Sequence, residues 1–148
     1  MPTFAPHLQP VGEIVAGSNP AAGAELTVTV PAGQVWELVQ VKATLVTDAT
    51  VANRSPVLYI KDASSVEIAR FPIALSQGAS LTVLWLWKAG FPTTGEFIAG
   101  ASPPDFEDSG PITPGMILNA GYTITTLTTA IVAGDNWGAP SVYIKRLT

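Results

Sequence analysis

The residue types that most often carry out chemistry are scarce in this chain. His7 is the only histidine, and there is no cysteine. A serine–histidine–aspartate triad would therefore depend on His7, which lies in a proline-rich stretch close to the first residue. Metal sites with two or three histidines, cysteine-ligated zinc and cysteine nucleophiles are excluded within this one chain. We interpret His7 as an exposed or interface residue without a catalytic role.

The one acidic cluster consists of Asp105, Glu107 and Asp108. Three carboxylates near a glycine could ligate calcium, but they lack the alternating aspartate spacing of a calcium-binding loop. Glycoside hydrolysis needs two carboxyl groups held on opposite sides of the scissile bond, which neighbours on a loop do not supply. We interpret the cluster as a solvated loop and predict no catalytic, cofactor-binding or metal-binding residues. The chain is therefore expected not to be an enzyme.

Trp85 and Trp87 alternate with Leu84 and Leu86 in the most apolar part of the sequence. Indole rings offer flat apolar faces on which sugars stack, so the pair could form a binding platform. Their apolar neighbours favour packing in a core instead. Both interpretations, interface and core, stay open at this point. Two further tryptophans follow turn sequences and are predicted to seal the ends of a sandwich: Trp36 and Trp137.

The composition restricts the class of partner. Charged residues make up 12% of the chain and hydrophobic residues 47%, whereas soluble domains usually contain about 25% charged residues. A surface with so few charges is expected to be covered in part by other proteins. The net charge of −4 and the lack of basic runs argue against nonspecific nucleic-acid binding. No apolar run approaches the roughly 20 residues of a membrane span, so we expect a soluble protein without a signal peptide.

The first 24 residues differ from the rest, and we predict an extended arm over residues 1–24. Four prolines at positions 2, 6, 10 and 20 forbid a long helix and disfavour a central strand. A disordered linker would be polar, whereas this segment is not. Its apolar residues are predicted to bind a partner: Phe4, Leu8, Val11, Ile14 and Val15. The alternative is that the arm lies on its own domain.

The remaining residues, 25–148, are predicted to form one all-β domain. Apolar residues recur with a period of two, and no window shows helical spacing. In the segment 34–47, strict alternation places Val35, Val39 and Val41 on one face. The eight predicted strands are 26–30, 34–47, 57–61, 66–71, 80–88, 116–119, 122–129 and 142–147. Eight short antiparallel strands fit a jelly-roll-like sandwich or barrel, with a long irregular loop over 89–114.

Several phrases of the sequence resemble structural proteins of tailed bacteriophages. They are VPAGQVWEL at 30–38, LVTDATVANR at 45–54, NAGYTI at 119–124 and AGDNW at 133–137. The resemblance covers roughly residues 25–148 and leaves the arm unmatched. Length and the proline-rich arm most resemble capsid decoration, or cement, proteins of thermophilic long-tailed phages. The 13 prolines and the absence of cysteine would suit heat resistance.

This resemblance implies a β-sandwich trimer on the outside of a capsid, made in the host cytoplasm. Its partners would be the major capsid protein and further copies of itself, with no cofactor, nucleic acid or membrane. An alternative is a phage tail or fibre module that binds host-surface carbohydrate through Trp85, Trp87 or Trp137. A carbohydrate-active enzyme on a jelly roll is disfavoured by the single histidine and the lack of convergent carboxylates.

Overall fold

The computed structural model describes residues 11–90, 94–97 and 106–147. Over these ranges the chain forms β-strands and no helix, so none of its segments is a helix that could span a membrane. The strands are β1 (Val11–Ala16), β2 (Thr27–Thr29), β3 (Trp36–Val46), β4 (Ser55–Lys61), β5 (Glu67–Pro72), β6 (Thr82–Ala89), β7 (Thr94–Phe97), β8 (Phe106–Ile112), β9 (Met116–Leu118), β10 (Thr123–Thr129), β11 (Asn136–Trp137) and β12 (Ser141–Arg146). The all-β class is confirmed, but the predicted number of eight strands is wrong.

The strands form two sheets that pack face to face as a sandwich. The larger sheet runs β1-β12-β3-β6-β8-β7, with β9 and β11 also paired to β3, and the smaller sheet runs β2-β10-β4-β5. Alternation explains the smaller sheet well: Ile124 of β10 and Ile60 of β4 point inward and are buried. Thr125 and Tyr59 lie opposite each other on the outer face. One face is thus packed on the core and the other is solvated.

In the long strand β3, the alternation of buried and exposed side chains shifts by one residue in the middle. Trp36 and Leu38 are buried, and so are Val41, Ala43 and Leu45. The pairing with β12 shifts register where Gln40 lies opposite Tyr143 and Leu38 lies opposite Ile144. Such a β-bulge inserts one unpaired residue and exchanges the faces that follow it. The predicted strict alternation over 34–47 is therefore wrong, and the bulge keeps one side of β3 apolar along its whole length.

Part of the predicted arm belongs to the larger sheet. β1 pairs antiparallel with β12 along all of its residues, from Val11 opposite Arg146 to Ala16 opposite Ser141. No proline occurs between Pro10 and Pro20, so the segment keeps every amide that a strand ladder needs. For residues 11–16 the arm lies on its own domain. Residues 1–10 lie outside the described part of the chain, so the arm stays a prediction there.

The segment predicted as a long irregular loop contains two strands, β7 and β8. β8 pairs with β6 in parallel, an arrangement that produces no alternating sequence signal. Gly110 allows β8 to approach the core closely, because a Cβ there would lie 2.6 Å from Cγ1 of Ile73. The irregular-loop prediction is wrong because glycine and proline are not confined to loops. Glycine also occurs in strands that pack closely on a neighbour, and proline also occurs in edge strands.

A buried ion pair connects the loops at one end of the sandwich. Arg54 and Asp135 are both fully buried, and their side chains form two parallel hydrogen bonds of 2.9 Å. The remaining guanidinium hydrogens reach the carbonyl oxygens of Thr50 and Ala52 and the carboxylate of Asp48. All five donors of Arg54 are satisfied, which is the condition under which a buried charge is tolerated.

The Asp135 carboxylate is equally well satisfied. Its two oxygens also accept hydrogen bonds from the backbone amides of Asp48 and Val132, both at 3.0 Å. Burial raises the pKa of Asp135, but the bonds from Arg54 and these amides outweigh it and hold the pKa below its ordinary value. The backbone of Arg54 additionally pairs with Gln77. The cluster therefore joins the loops after β3, before β6 and before β11.

Gln77 extends this polar cluster into the core. Its amide nitrogen donates to the carbonyl oxygens of Leu45 and Leu81, at 2.8 and 2.9 Å. Its amide oxygen accepts the indole hydrogen of Trp85 at 3.0 Å. Both polar atoms of the Gln77 side chain thus have partners, and the loop carrying Gln77 is bound to both β3 and β6. A buried polar network that is satisfied in this way specifies one arrangement of its members.

We expect Asp135→Ala to lower the free energy of unfolding by roughly 3–5 kcal/mol, since it removes the buried bidentate partner of Arg54 and leaves only the partly exposed Asp48 as a counter-charge. The matched control is Glu67→Ala, which removes the partner of Arg70 from an exposed ion pair and should cost at most about 1 kcal/mol. Urea unfolding of the three proteins at neutral pH gives the comparison. Equal losses in both variants would contradict a structural role for the buried pair.

Candidate protein-binding surface

The structure separates the residues that the arm prediction grouped together. Phe4 and Leu8 lie outside the described residues, and only the backbone of Val11 is described, in β1. Ile14 points to the outer face of the larger sheet and is 69% exposed. Val15 points the other way and packs against the core. Of the predicted partner-binding residues, Ile14 is the one whose described side chain is free to contact another molecule.

Trp85 and Trp87 belong to the core, so the interface alternative does not hold for them. Both are fully buried, and their rings stack with centroids 6.3 Å apart. The indole hydrogen of Trp85 is donated to Gln77, and that of Trp87 to the carbonyl oxygen of Phe71 at 3.0 Å. Trp137 is buried as well. These rings present no face on which a sugar could stack.

The acidic cluster does not form one solvated loop. Asp105 lies outside the described residues, and the side chain of Glu107 is not described. Asp108 lies in β8 opposite Trp85 and is only 8% exposed. Burial raises the pKa of the Asp108 carboxyl. The solvated-loop interpretation is therefore wrong for Asp108, because the parallel pairing with β6 turns this side chain toward the core.

An apolar groove lies at the end of the sandwich opposite the Arg54 cluster. It has a volume of about 210 Å³, and its lining residues are Ile60, Ile68, Met116, Ile117, Leu118 and Tyr122. Ile60 and Leu118 are fully buried and form the floor, while Ile68 is 53% exposed and Ile117 is 45% exposed. No charged side chain lines it. We refer to these six residues as the apolar groove.

The groove joins strands from both sheets. Ile60 and Ile68 come from β4 and β5 of the smaller sheet, and Met116, Ile117 and Leu118 form β9 of the larger one. The strand β9 is only three residues long and pairs with β3 alone among the described strands. Sequence reasoning missed this site because its two halves lie some fifty residues apart. One sequence signal could have indicated the site: all three residues of β9 are apolar, although neighbouring residues of a strand point to opposite faces. At least one of them must therefore lie outside the core.

A second, polar depression lies on the smaller sheet. Its volume is about 470 Å³, and it is lined by Glu25, Tyr59, Lys61, Glu67, Thr125, Thr126 and Leu127. The Tyr59 ring is covered by the guanidinium of Arg70, 5.5 Å from the ring centroid. The Glu25 carboxylate accepts hydrogen bonds from Thr126 and Thr128. Its most prominent polar and aromatic groups are thus already engaged within the chain.

Comparisons with known proteins give weak likenesses. No protein-family model matches the chain, and no curated protein matches it in sequence. Among solved structures it is similar to the infectious bursal disease virus T13 viral particle, with 7% identity and a TM-score of 0.43, over 98% of this chain and 35% of that one. It is also similar to the VP2 subviral particle of this virus, with 10% identity and a TM-score of 0.38, over 97% of this chain and 37% of that one. The chain spans about a third of the length of these proteins.

We expect Asp108→Asn to be more stable than the wild type at neutral pH. Because the pKa of Asp108 is raised in the folded state, the cost of burying its charge is fully present above that pKa. The cost disappears as the pH falls through it toward the unfolded-state value of about 3.9. Thermal unfolding from pH 7 to pH 4 should show the advantage of the variant shrinking. An Asp108→Asn variant that is less stable than the wild type at neutral pH would contradict this expectation.

We expect the tryptophan fluorescence to be insensitive to carbohydrate. All four tryptophans are at most 1% exposed, so acrylamide should quench the folded protein far less than the urea-unfolded protein. Addition of soluble mono- and oligosaccharides at millimolar concentration should leave the emission maximum unchanged. A shift of the emission on adding one sugar would show that a tryptophan becomes accessible, and would favour the carbohydrate-binding alternative.

Proposed function

We propose that this chain is a virion structural protein that acts by binding other protein surfaces as a homo-oligomer, without enzymatic activity of its own. The observation that carries the proposal is the apolar groove. Ile68 and Ile117 leave about half of their surface in contact with water. Removing this apolar surface from water by covering it with a partner is energetically favourable. An apolar side chain of a second protein is the ligand that such a groove accepts.

A more specific role follows from the resemblance to phage proteins. The phrases VPAGQVWEL and LVTDATVANR support a decoration protein on the capsid exterior of a tailed phage, with the major capsid protein as its partner. The trimeric state, the jelly-roll path, the arm at residues 1–10 and thermal resistance belong to this same proposal. The groove is then the part of the domain that receives a side chain of the capsid shell.

The alternative is a tail or fibre module that binds host-surface carbohydrate. It would use flat aromatic rings or a polar hollow with unengaged hydrogen-bonding groups. The tryptophans are buried, and Arg70 covers the ring of Tyr59. These observations favour a protein partner over a sugar.

The proposal is tested with empty shells assembled from the major capsid protein of the same genome. We expect the wild type to bind and the double variant Ile68→Lys/Ile117→Lys to bind at least tenfold more weakly. Each lysine introduces a charge into an interface core and removes apolar burial of about 1 kcal/mol or more. The matched control is Leu127→Lys, which changes a 57% exposed leucine on the smaller sheet.

Cosedimentation of protein with shells, followed over a concentration series, measures the three affinities. Circular dichroism establishes that both variants remain folded. If the groove variant binds as well as the Leu127→Lys control, the groove is not the binding surface. If the wild type binds no shell but associates with purified tails or fibres, the decoration role is wrong and the alternative is favoured.

A further inference from the structure

The edges of the two sheets, among them β9 and β11 that pair with β3 alone among the described strands, are not equally protected against pairing with another strand. An edge strand exposes backbone amides and carbonyls, and proteins block it with short strands, prolines, charges or bulges. β2 and β9 are three residues long, β7 is four, and β11 is two. β5 ends at Pro72, carries the Glu67–Arg70 ion pair and has a register shift against β4. Each of these edges is too short or is blocked.

The remaining edge, β1, has none of these devices. Its six residues, VGEIVA, include neither proline nor lysine, and its pairing with β12 has no bulge. Its one charge, Glu13, is neutralised by Arg146 of the neighbouring strand at 2.8 Å. Among the strands that the structure describes, none lies on the other side of β1. β1 is therefore the edge that is open to a further strand.

The hydrogen-bonding pattern defines which residues of β1 would pair. The amide of Gly17 donates to the carbonyl oxygen of Pro140 at 2.8 Å, in the direction of β12. In an antiparallel ladder every second residue points its amide and carbonyl to the same neighbour. Glu13 and Val15 therefore point to β12 together with Gly17. Gly12, Ile14 and Ala16 point their backbone groups away from it, toward the open edge.

We propose that β1 pairs antiparallel with β1 of a second copy of this chain, across a two-fold axis at Ile14. In this register Ile14 lies opposite Ile14, and Gly12 lies opposite Ala16, which gives about six hydrogen bonds between the copies. The residues that meet are the three whose backbone groups face the open edge. The proposal deepens the proposed function by naming the contact between copies, and it rests on that function only for its role in a virion.

Side chains select this register over its neighbours. With the axis at Ile14, Glu13 lies opposite Val15 of the other copy. A shift that places the axis at Glu13 would set two carboxylates directly opposite each other, which is destabilising. On the outer face, the Tyr143 ring lies across Gly12, where an added Cβ would sit 2.3 Å from its hydroxyl oxygen. Ile14 and Tyr143 of one copy would thus lie beside Ile14 and Tyr143 of the other copy and form one apolar strip.

A two-fold contact doubles whatever assembly the chain otherwise forms. Alone it gives a dimer, and in a closed assembly with a three-fold axis it joins two trimers into a hexamer. The first test is the mass in solution, measured by light scattering over micromolar concentrations. We expect Ile14→Lys and Ile14→Pro to have half of the wild type's mass at equal concentration. The lysine places like charges on the axis, and the proline removes an amide that faces the open edge, so neither breaks the β1–β12 ladder.

The matched control, Leu127→Lys, should keep the wild-type mass. Backbone hydrogen exchange supplies a second readout. In the wild type the amides of Ile14 and Ala16 should be protected, and this protection should disappear on dilution and in Ile14→Lys. The amides of Glu13 and Val15 should stay protected in every sample because they bond to β12. Circular dichroism checks that each variant is folded.

Three results would overturn the proposal. The first is an unchanged mass for both Ile14 variants. The second is protection of Ile14 and Ala16 that does not depend on concentration, which would mean that the chain's own residues cover the edge. The third is protection that arises only when capsid shells are added, which would mean a partner's strand. If the copies do not pair but the protein still binds shells, the β1 proposal is wrong and the proposed function stands. If the copies pair but the protein binds no shell, the β1 proposal stands and the proposed role on a capsid is wrong.

Discussion

The bidentate pair of Arg54 and Asp135 is the interaction on which the arrangement of the loops depends. Two buried charges are tolerated because Arg54 has five acceptors and Asp135 has four donors. Supplying these partners requires two separate loops, the β3–β4 loop and the β10–β11 loop, to come together at one place. Gly134 is part of this requirement, since a Cβ there would lie 2.2 Å from the Asp48 carboxylate. The cost of desolvating one arginine thus fixes the geometry of a whole end of the sandwich.

The two ends of the sandwich consequently have opposite character. The Arg54 cluster lies where β3 ends and β4 begins, and its charges are satisfied within the chain. At the other end, Ile60 of β4 and Leu118 of β9 form the buried floor of the apolar groove, which no charged side chain lines. A partner at the first end would have to compete with existing hydrogen bonds. A partner at the second end only displaces water from apolar surface, which favours association there.

The sequence predicts those parts of the fold that follow a period of two, and it misses what depends on tertiary pairing. β4, β6, β10 and β12 alternate and were predicted within a few residues. The bulge in β3 leaves no composition signal, and the parallel pairing of β8 removes alternation altogether. The burial of Arg54 leaves no signal in the sequence, because its partner Asp135 is remote along the chain. The groove was missed for the same reason, whereas the buried tryptophans were foreseen as one of two alternatives.

The groove and the open edge of β1 would bind their partners through different kinds of interaction. A sheet edge binds through backbone hydrogen bonds, so its affinity depends on register and hardly on which apolar side chains it carries. The groove binds through burial of Ile68 and Ile117, so its affinity depends on the shape and volume of the partner's side chain. Val11 lies in the same row as Arg146, Trp36 and Leu118, with two strands between β1 and β9. About 14 Å separates these positions at the usual strand spacing, so the edge and the groove are separate surfaces that share no residue.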